Sequence, residues 1–235
     1  RRGAWAGYLE IDHKDFDEVY DHIYNDPDGM NVGWIITDAF LKRLQSGDSD
    51  AVRRYQRCLK MKMVVGRGYF WFVDRVNRKL PEPYKRAGMK NYASNLCNEV
   101  ALPADNEHQF TCVLSSMLVH RFDEWKDTDA VYWATIFLDC VAEEFIQRAK
   151  DIEGLEKTVR FTQAGFHTYL QDHMIPFESL EARMVSQQIA KHIWEESLRA
   201  SQVMARELGE PEWCRGFGVR NASRIAIAPT KSSAI

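Results

Sequence analysis

The chain contains no uninterrupted apolar run of about 18 residues, the length that a membrane-spanning helix requires. Its first residues, Arg1-Arg2-Gly3-Ala4-Trp5, lack the apolar region of a secretory signal. Basic residues form no block and the net charge is −3, which argues against nucleic acid and anionic membrane as partners. These absences lead us to expect a cytoplasmic globular protein.

The five cysteines are odd in number and widely spaced, and none belongs to a CxxC pair. This pattern argues against a secreted disulfide framework and against a zinc ribbon, so we expect most of the cysteines to be reduced thiols. The seven histidines are scattered without ligand spacing. We therefore expect no metal bound by this chain.

What the chain does contain is a large apolar fraction, 45% of 235 residues, with 12% aromatics. This is enough for a substantial core. No repeat, low-complexity tract or linker divides the sequence, so a single domain over residues 1–235 is expected. No initiator methionine opens the chain, and we expect it to be part of a longer whole.

Apolar spacing predicts alternating strands and helices, which is typical of an α/β fold. The predicted strands are 4–11, 32–36, 69–73, 110–116 and 224–229, and the predicted helices are 15–24, 37–44, 48–63, 130–150 and 179–208. Cys58 lies on the apolar face of the third helix and is expected in the core. Cys140 lies in a helix that is apolar nearly all round, so we expect that helix to be internal and Cys140 to be structural.

The stretch Ser94 to Val100 carries the chemistry of this sequence. If it runs extended, Asn95, Cys97 and Glu99 share one side, because side chains two apart point the same way. An amide, a thiol and a carboxylate then lie together, as a redox or acid–base site would need. The alternative is that Cys97 is simply a small buried hydrophobe.

A polar loop after Pro103 predicts a hairpin that returns the strand containing Cys112 beside this stretch, so that Cys112 faces Cys97. Cys112 could equally pack within its strand and no more. At the other end of the chain, small hydroxyl residues and a lysine follow an apolar strand, namely Thr230, Lys231, Ser232 and Ser233. Such a segment can hold a phosphate, or it can be a polar, frayed terminus.

Together these segments resemble the large subunit of aerobic ribonucleotide reductase, most closely the type carried by T4-like bacteriophages. The match covers essentially the whole chain. It rests above all on SNLCNEVALP at 94–103 combined with PTKSS at 229–233. Further matching stretches are RRGAWAGYLEIDH at 1–13, GRGYFWF at 66–72, TCVLSSM at 111–117, residues 121–138, GFHTYL at 165–170, EESLRASQ at 195–202 and residues 209–233.

The resemblance implies the fold and the roles of the residues. The fold is part of a ten-stranded α/β barrel with Cys97 on a central loop. Cys97 becomes a thiyl radical that removes the 3′-hydrogen of a ribonucleoside diphosphate, Glu99 takes the 3′-hydroxyl proton, and Asn95 hydrogen-bonds to the substrate. Cys112 is one of two cysteines that supply electrons. Ser94 and the segment from Thr230 to Ser233 hold the diphosphate.

The resemblance also implies partners outside this chain. A metal-containing small subunit generates the radical, and a dithiol protein of the thioredoxin or glutaredoxin type re-reduces the site. The family's second redox cysteine lies upstream of the sequence, and a glycine-rich strand of the family is missing after Ala164. We therefore expect a complementing large-subunit fragment as a partner. The sequence leaves open whether the chain also forms a homo-oligomer.

Two alternatives to a working reductase follow from the same features. The chain could be an inactive remnant that still binds nucleotide or the partner subunit. It could also be a helical interaction module with no nucleotide site.

Overall fold

The computed structural model describes residues 5–104, 109–148, 155–164 and 166–228. The chain divides into two compact units. The first comprises Arg1–Leu80 and Met89–Ala104, and the second comprises Pro81–Gly88 and Asp105–Ile235. The expectation of a single domain over residues 1–235 stays a prediction.

A three-stranded parallel sheet organises the first unit. Its strands are β1 (Ala6–Glu10), β2 (Asn31–Ile36) and β3 (Tyr69–Phe72), with β2 in the middle. Helix α1 (Phe16–Asn25) joins β1 to β2, and helices α2 (Asp38–Gln45) and α3 (Ser49–Val64) join β2 to β3. Parallel strands need crossover connections of this kind, so the predicted α/β alternation is confirmed.

Side-chain caps begin α2 and α3 where the sequence predicts them. Thr37 Oγ1 accepts a hydrogen bond from the backbone N–H of Phe40 at 3.1 Å. Asp48 Oδ1 accepts one from the N–H of Ala51 at 2.8 Å. Each bond satisfies a backbone donor that the first helical turn leaves without a partner, so the caps fix where these helices start.

The core of the first unit lies between the sheet and its helices. Most of its largest buried side chains belong to β2 and to the helices that cover it, namely Trp34, Phe16, Phe40, Ile23, Ile36 and Met61. Cys58 belongs to the same core and is 1% exposed, which confirms its predicted structural role.

The segment after β3 is helical. The predicted strand 69–73 ends at Phe72, because α4 (Val73–Arg78) begins at Val73. A second short helix, α5 (Glu82–Arg86), belongs to the second unit and starts after Pro81, with Pro83 in its first turn. Proline suits that position, since its fixed φ is helical and its missing N–H would have no partner there.

The second unit contains a parallel strand pair and two long helices. Its further elements are β4 (Gln109–Leu118), α6 (Phe122–Trp125), α7 (Ala130–Arg148), β5 (Leu155–Ala164), α8 (Phe166–Asp172) and α9 (Leu180–Leu208). The predicted helix 179–208 is confirmed, with Ser179 Oγ capping the N–H of Ala182 at 3.0 Å. The buried residues of α7, α8 and α9 form a common core.

The predicted hairpin before Cys112 is wrong. Strand β4 pairs in parallel with β5, and Cys112 stands in register with Thr158. Residues 94–103 form no strand that β4 could pair with. The polar composition of residues 104–109 indicated a turn locally, but strand pairing is decided by contacts distant in sequence.

Helix α7 is not internal, which corrects a second prediction. Its side chains include exposed aromatics, with Trp133 62% exposed and Phe137 66% exposed, and Cys140 is exposed too. Cys140 is therefore not a buried structural residue. An almost uniformly apolar helix has no polar face in its sequence, so its pattern cannot indicate which side is covered.

A buried polar cluster ties α7 to the segment that follows α9. Asp139 is 2% exposed and accepts hydrogen bonds from Arg220 Nε at 3.1 Å and from Asn221 Nδ2 at 2.9 Å. Arg220 also lies 3.3 Å from Glu143. The charge of Asp139 is thus compensated where it is buried, as such a group requires.

The predicted last strand, 224–229, is not formed within the described residues, where only an isolated bridge occurs at Ile225. Across the described ranges, no helix has both the length and the apolarity to cross a membrane.

Candidate active site

The loop that carries Cys97 turns instead of running extended, which corrects the predicted conformation. The N–H of Asn98 donates to the carbonyl of Asn95 at 3.1 Å and closes a turn around Leu96 and Cys97. Asn98 has a φ of +66°, in the left-handed region that asparagine tolerates better than most residues. The turn therefore carries backbone strain immediately beside Cys97.

Asn95 and Glu99 meet across this turn, although not by the alternation that predicted it. Asn95 Nδ2 donates to Glu99 Oε1 at 2.7 Å. Asn95 Oδ1 accepts from the N–H groups of Glu99 and Val100 at 3.1 and 3.2 Å. These three bonds fix the orientation of the amide and hold one carboxylate oxygen in place.

The other carboxylate oxygen, Glu99 Oε2, is buried and has no hydrogen-bond partner within the described part of the chain. A buried carboxylate oxygen in that state is costly to the fold. Such an atom is suited to accept a hydrogen bond, or a proton, from a hydroxyl group brought to it.

Cys97 is half-buried on the same turn. Burial, and then the nearby charge of Glu99, raises the pKa of its thiol above the ordinary value. The thiol therefore stays protonated at neutral pH, unlike the thiolate of a nucleophilic cysteine. An S–H group that keeps its proton is the form that can give up a hydrogen atom.

A buried asparagine that the sequence analysis did not identify anchors both ends of the loop. Asn91 is fully buried, and its Nδ2 donates to the carbonyls of Ala93 and Leu102, both at 2.6 Å. Its Oδ1 accepts from Trp71 Nε1 on β3 at 2.8 Å. Asn77 Oδ1 accepts from the N–H of Asn91 at 2.8 Å. No local pattern marks these residues, since their partners lie elsewhere in the sequence.

Ser94, which is predicted to bind phosphate, forms its hydrogen bonds within the loop. Its hydroxyl donates to the carbonyl of Val100 at 2.8 Å, and it lies 3.3 Å from Asn95 Oδ1. A hydroxyl has one proton to donate, so binding phosphate as a donor would require this group to rotate.

The remaining predicted site residues lie in the second unit or outside the described residues. Cys112 is exposed on β4 in the second unit, whereas Cys97 belongs to the first. Their predicted juxtaposition stays a prediction. Thr230, Lys231, Ser232 and Ser233 lie outside the described residues. None of the five cysteines, all of which are described, forms a disulfide.

No group of three or more histidine, cysteine, aspartate or glutamate side chains within the described ranges could hold a metal ion. The loop itself offers an amide, a thiol and one carboxylate. These groups can donate and accept hydrogen bonds and can exchange a proton.

Comparison with known proteins gives this loop a family context. Residues 48–217 match the family model for the barrel domain of ribonucleotide reductase. A ribonucleoside-diphosphate reductase large subunit from Frog virus 3 (isolate Goorha) is 32% identical over 268 residues, covering 100% of this chain and 47% of that protein. A large subunit from Invertebrate iridescent virus 3 is also 32% identical, over 79% of this chain and 31% of its own length.

A solved structure resembles the chain as well. The class Id ribonucleotide reductase alpha subunit of Actinobacillus ureae superposes with a TM-score of 0.92 at 38% identity, covering 98% of this chain and 46% of that one. The chain thus spans about half the length of the first of these viral relatives, and about half of this solved subunit.

Proposed function

Because this chain belongs to the ribonucleotide reductase family, through the barrel domain of the large subunit, we propose that it reduces ribonucleoside diphosphates. The products are deoxyribonucleoside diphosphates, and the reaction proceeds through a thiyl radical. The observation that carries the proposal is the turn that holds Asn95, a protonated Cys97 and Glu99 together.

Each residue of the turn has a role that its environment supports. The sulfur radical at Cys97 takes the 3′-hydrogen atom, forming S–H and leaving a carbon radical. Glu99 accepts the proton of the 3′-hydroxyl, for which its buried Oε2 has no other partner among the described residues. Asn95 orients the carboxylate and presents its amide to the substrate. The 2′-hydroxyl then leaves as water with a proton supplied by one of the two redox thiols, and at the end Cys97 returns the hydrogen atom to C3′ and becomes a radical again.

Two electrons complete the reduction, and they come from two thiols that close a disulfide. We assign one of the two to Cys112 and the other to sequence beyond these residues. An external dithiol protein reopens the disulfide by exchange. Thr230, Lys231, Ser232 and Ser233, with Ser94, bind the substrate's diphosphate, and the radical originates in a metal-containing small subunit.

The same proposal extends to the organisation of the enzyme. The family match spans residues of both compact units, which supports a single barrel domain with a central cysteine loop. The viral relatives support a virus-type reductase, and we assign the chain to the T4-like type. It acts with further large-subunit polypeptide that contributes the second redox cysteine.

Substitution of Cys97 tests the reaction. In the chain combined with the polypeptide completing the large subunit, the small subunit and a dithiol, Cys97→Ser should abolish deoxynucleotide formation, because a serine hydroxyl does not form an accessible radical. Cys140→Ser, at an exposed thiol, is the matched control and should retain turnover. Full activity of Cys97→Ser would contradict the proposal.

Two further measurements separate the alternatives. Turnover by the 235-residue chain with only the small subunit and a dithiol would contradict the need for additional polypeptide. Calorimetry with a ribonucleoside diphosphate distinguishes the rest: binding without turnover indicates an inactive remnant, and no binding indicates an interaction module.

A further inference from the structure

A tyrosine on the edge strand of the first unit reaches the turn that carries Cys97. The hydroxyl of Tyr8, on β1, lies 2.8 Å from the carbonyl oxygen of Asn95 and 3.0 Å from Asn98 Oδ1. Both atoms are hydrogen-bond acceptors, so the phenol is the donor. These two partners are the first and last residues of the turn.

The ring of Tyr8 is held in place by its neighbours. It crosses the middle strand over Gly33, where an added Cβ would stand only 2.2 Å from the ring. Trp71 packs against it edge to face, with ring centroids 6.4 Å apart. A glycine at position 33 therefore lets the tyrosine lie across the sheet and reach the loop.

The phenol is a permanent donor at physiological pH. Burial raises the pKa of Tyr8 to about 12, while hydrogen bonding with Ser94 lowers it by less and the charges of Glu99 and its neighbours raise it further. The carbonyl of Asn95 thus receives two donors, the Tyr8 hydroxyl and the N–H of Asn98. The hydroxyl has one proton, so it shares that proton with the side-chain oxygen of the strained residue, Asn98, in a bifurcated bond.

We propose that Tyr8 is a positioning residue for the reaction, holding the turn so that the Cys97 thiol and the Glu99 carboxylate keep their relative places. The part that concerns catalysis rests on the proposed reductase function. Tyr8 does not itself meet the reacting atoms. It acts through Asn95 and Asn98, on either side of Cys97 in the sequence.

The test replaces Tyr8 by phenylalanine, which keeps the ring and removes the hydroxyl. The chain is treated with iodoacetamide, and alkylation of each cysteine is followed by peptide mass spectrometry across a range of pH. Cys58 reports on the core of the same unit, because it is 1% exposed, and the exposed Cys140 is the reference in the other unit.

In Tyr8→Phe we expect Cys97 to be alkylated about fivefold faster, the factor associated with one hydrogen bond. Its pH profile should move to lower pH, since a loosened turn exposes the thiol to water. Cys58 and Cys140 should not change. Asn98→Gly keeps a residue that tolerates positive φ but removes one acceptor, so it should raise the Cys97 rate by a smaller factor.

Two outcomes overturn the proposal: an unchanged Cys97 rate in Tyr8→Phe, or a rise at Cys58 that matches the rise at Cys97. The second would mean that the hydroxyl supports the fold of the whole unit. Tyr24→Phe is the matched control, because Tyr24 lies on α1 of the same unit and stacks on Tyr20. It should leave all three rates unaltered.

The kinetic part uses the completed enzyme. Tyr8→Phe should lower kcat about fivefold with KM unchanged, as expected when a reacting group is displaced and substrate binding is not. A fall in kcat accompanied by a rise in KM of similar size would contradict a positioning role. The alkylation measurements need no reductase activity, so failure of the proposed function and failure of this inference give different results.

Discussion

The carboxylate of Glu99 can be changed in charge with little change in shape. In Glu99→Gln the new side chain can still accept a hydrogen bond from Asn95, so the turn should persist. The amide cannot take a proton, however, and we expect turnover of the completed enzyme to fall by about 10²- to 10⁴-fold. Deoxynucleotide formation measures this loss.

The same substitution should change the titration of Cys97. A negative charge at position 99 contributes to the raised pKa of the thiol, so removing that charge lowers the pKa toward its ordinary value. The alkylation profile of Cys97 should then move to lower pH. Glu18→Gln, at an exposed position on α1, should alter neither property. Unchanged turnover in Glu99→Gln would exclude Glu99 as the base.

Residue types near Cys97 could be read from the sequence, but their arrangement could not. An amide, a thiol and a carboxylate within five residues indicate a chemical site whatever the backbone does. The turn depends on the left-handed Asn98 and on Tyr8, which is separated from Asn98 by 90 residues of sequence. Contacts of that range leave no trace in a local pattern, so the sequence could not show that residues 94–100 turn instead of running extended.

At the scale of secondary-structure elements, α7 is fixed to the segment after α9 by the pair formed by Asp139 and Arg220. We expect Asp139→Ala to lower the free energy of unfolding by about 3 kcal/mol, because it leaves a buried guanidinium without its main counter-charge. Urea denaturation followed by circular dichroism measures the change.

The control for this prediction lies on the same helix. Glu144 pairs with Arg148 one turn away, and both side chains are exposed. Glu144→Ala should therefore cost no more than about 0.5 kcal/mol. Equal effects of the two substitutions would show that the pair at Asp139 contributes no more than a surface pair.

Helix starts were predictable where the sequence contains a capping residue. Thr37, Asp48 and Ser179 each begin a helix at the predicted residue, because a cap is a contact within one turn. For helix α7 the predicted burial was wrong, and for strand β4 the predicted pairing partner was wrong. An all-apolar helix does not reveal its covered side, and a strand does not reveal its partner.

At the scale of the whole molecule, the proposed chemistry requires two electrons for each product. Cys112→Ser removes one of the two thiols that would close the disulfide, so repeated turnover of the completed enzyme should fall to background. Cys140→Ser is again the control, because that thiol is also exposed and lies in the same unit. Deoxynucleotide formed per enzyme over time measures the effect.

Sustained turnover by Cys112→Ser would mean that the electrons enter through another pair of cysteines. Binding of ribonucleoside diphosphate, measured by calorimetry, should be unaffected in this variant. A loss of binding would instead assign Cys112 to the substrate site.

The raised pKa of Cys97 also affects how readily its thiol is oxidised between turnovers. Thiolates attack peroxides and disulfides, whereas neutral thiols react with them slowly, and the higher oxidation products of cysteine are irreversible. A half-buried thiol that keeps its proton beside Glu99 should therefore react slowly with peroxides and disulfides. Under the proposed mechanism, the surroundings that suit Cys97 to hydrogen-atom transfer also protect its thiol from oxidation between turnovers.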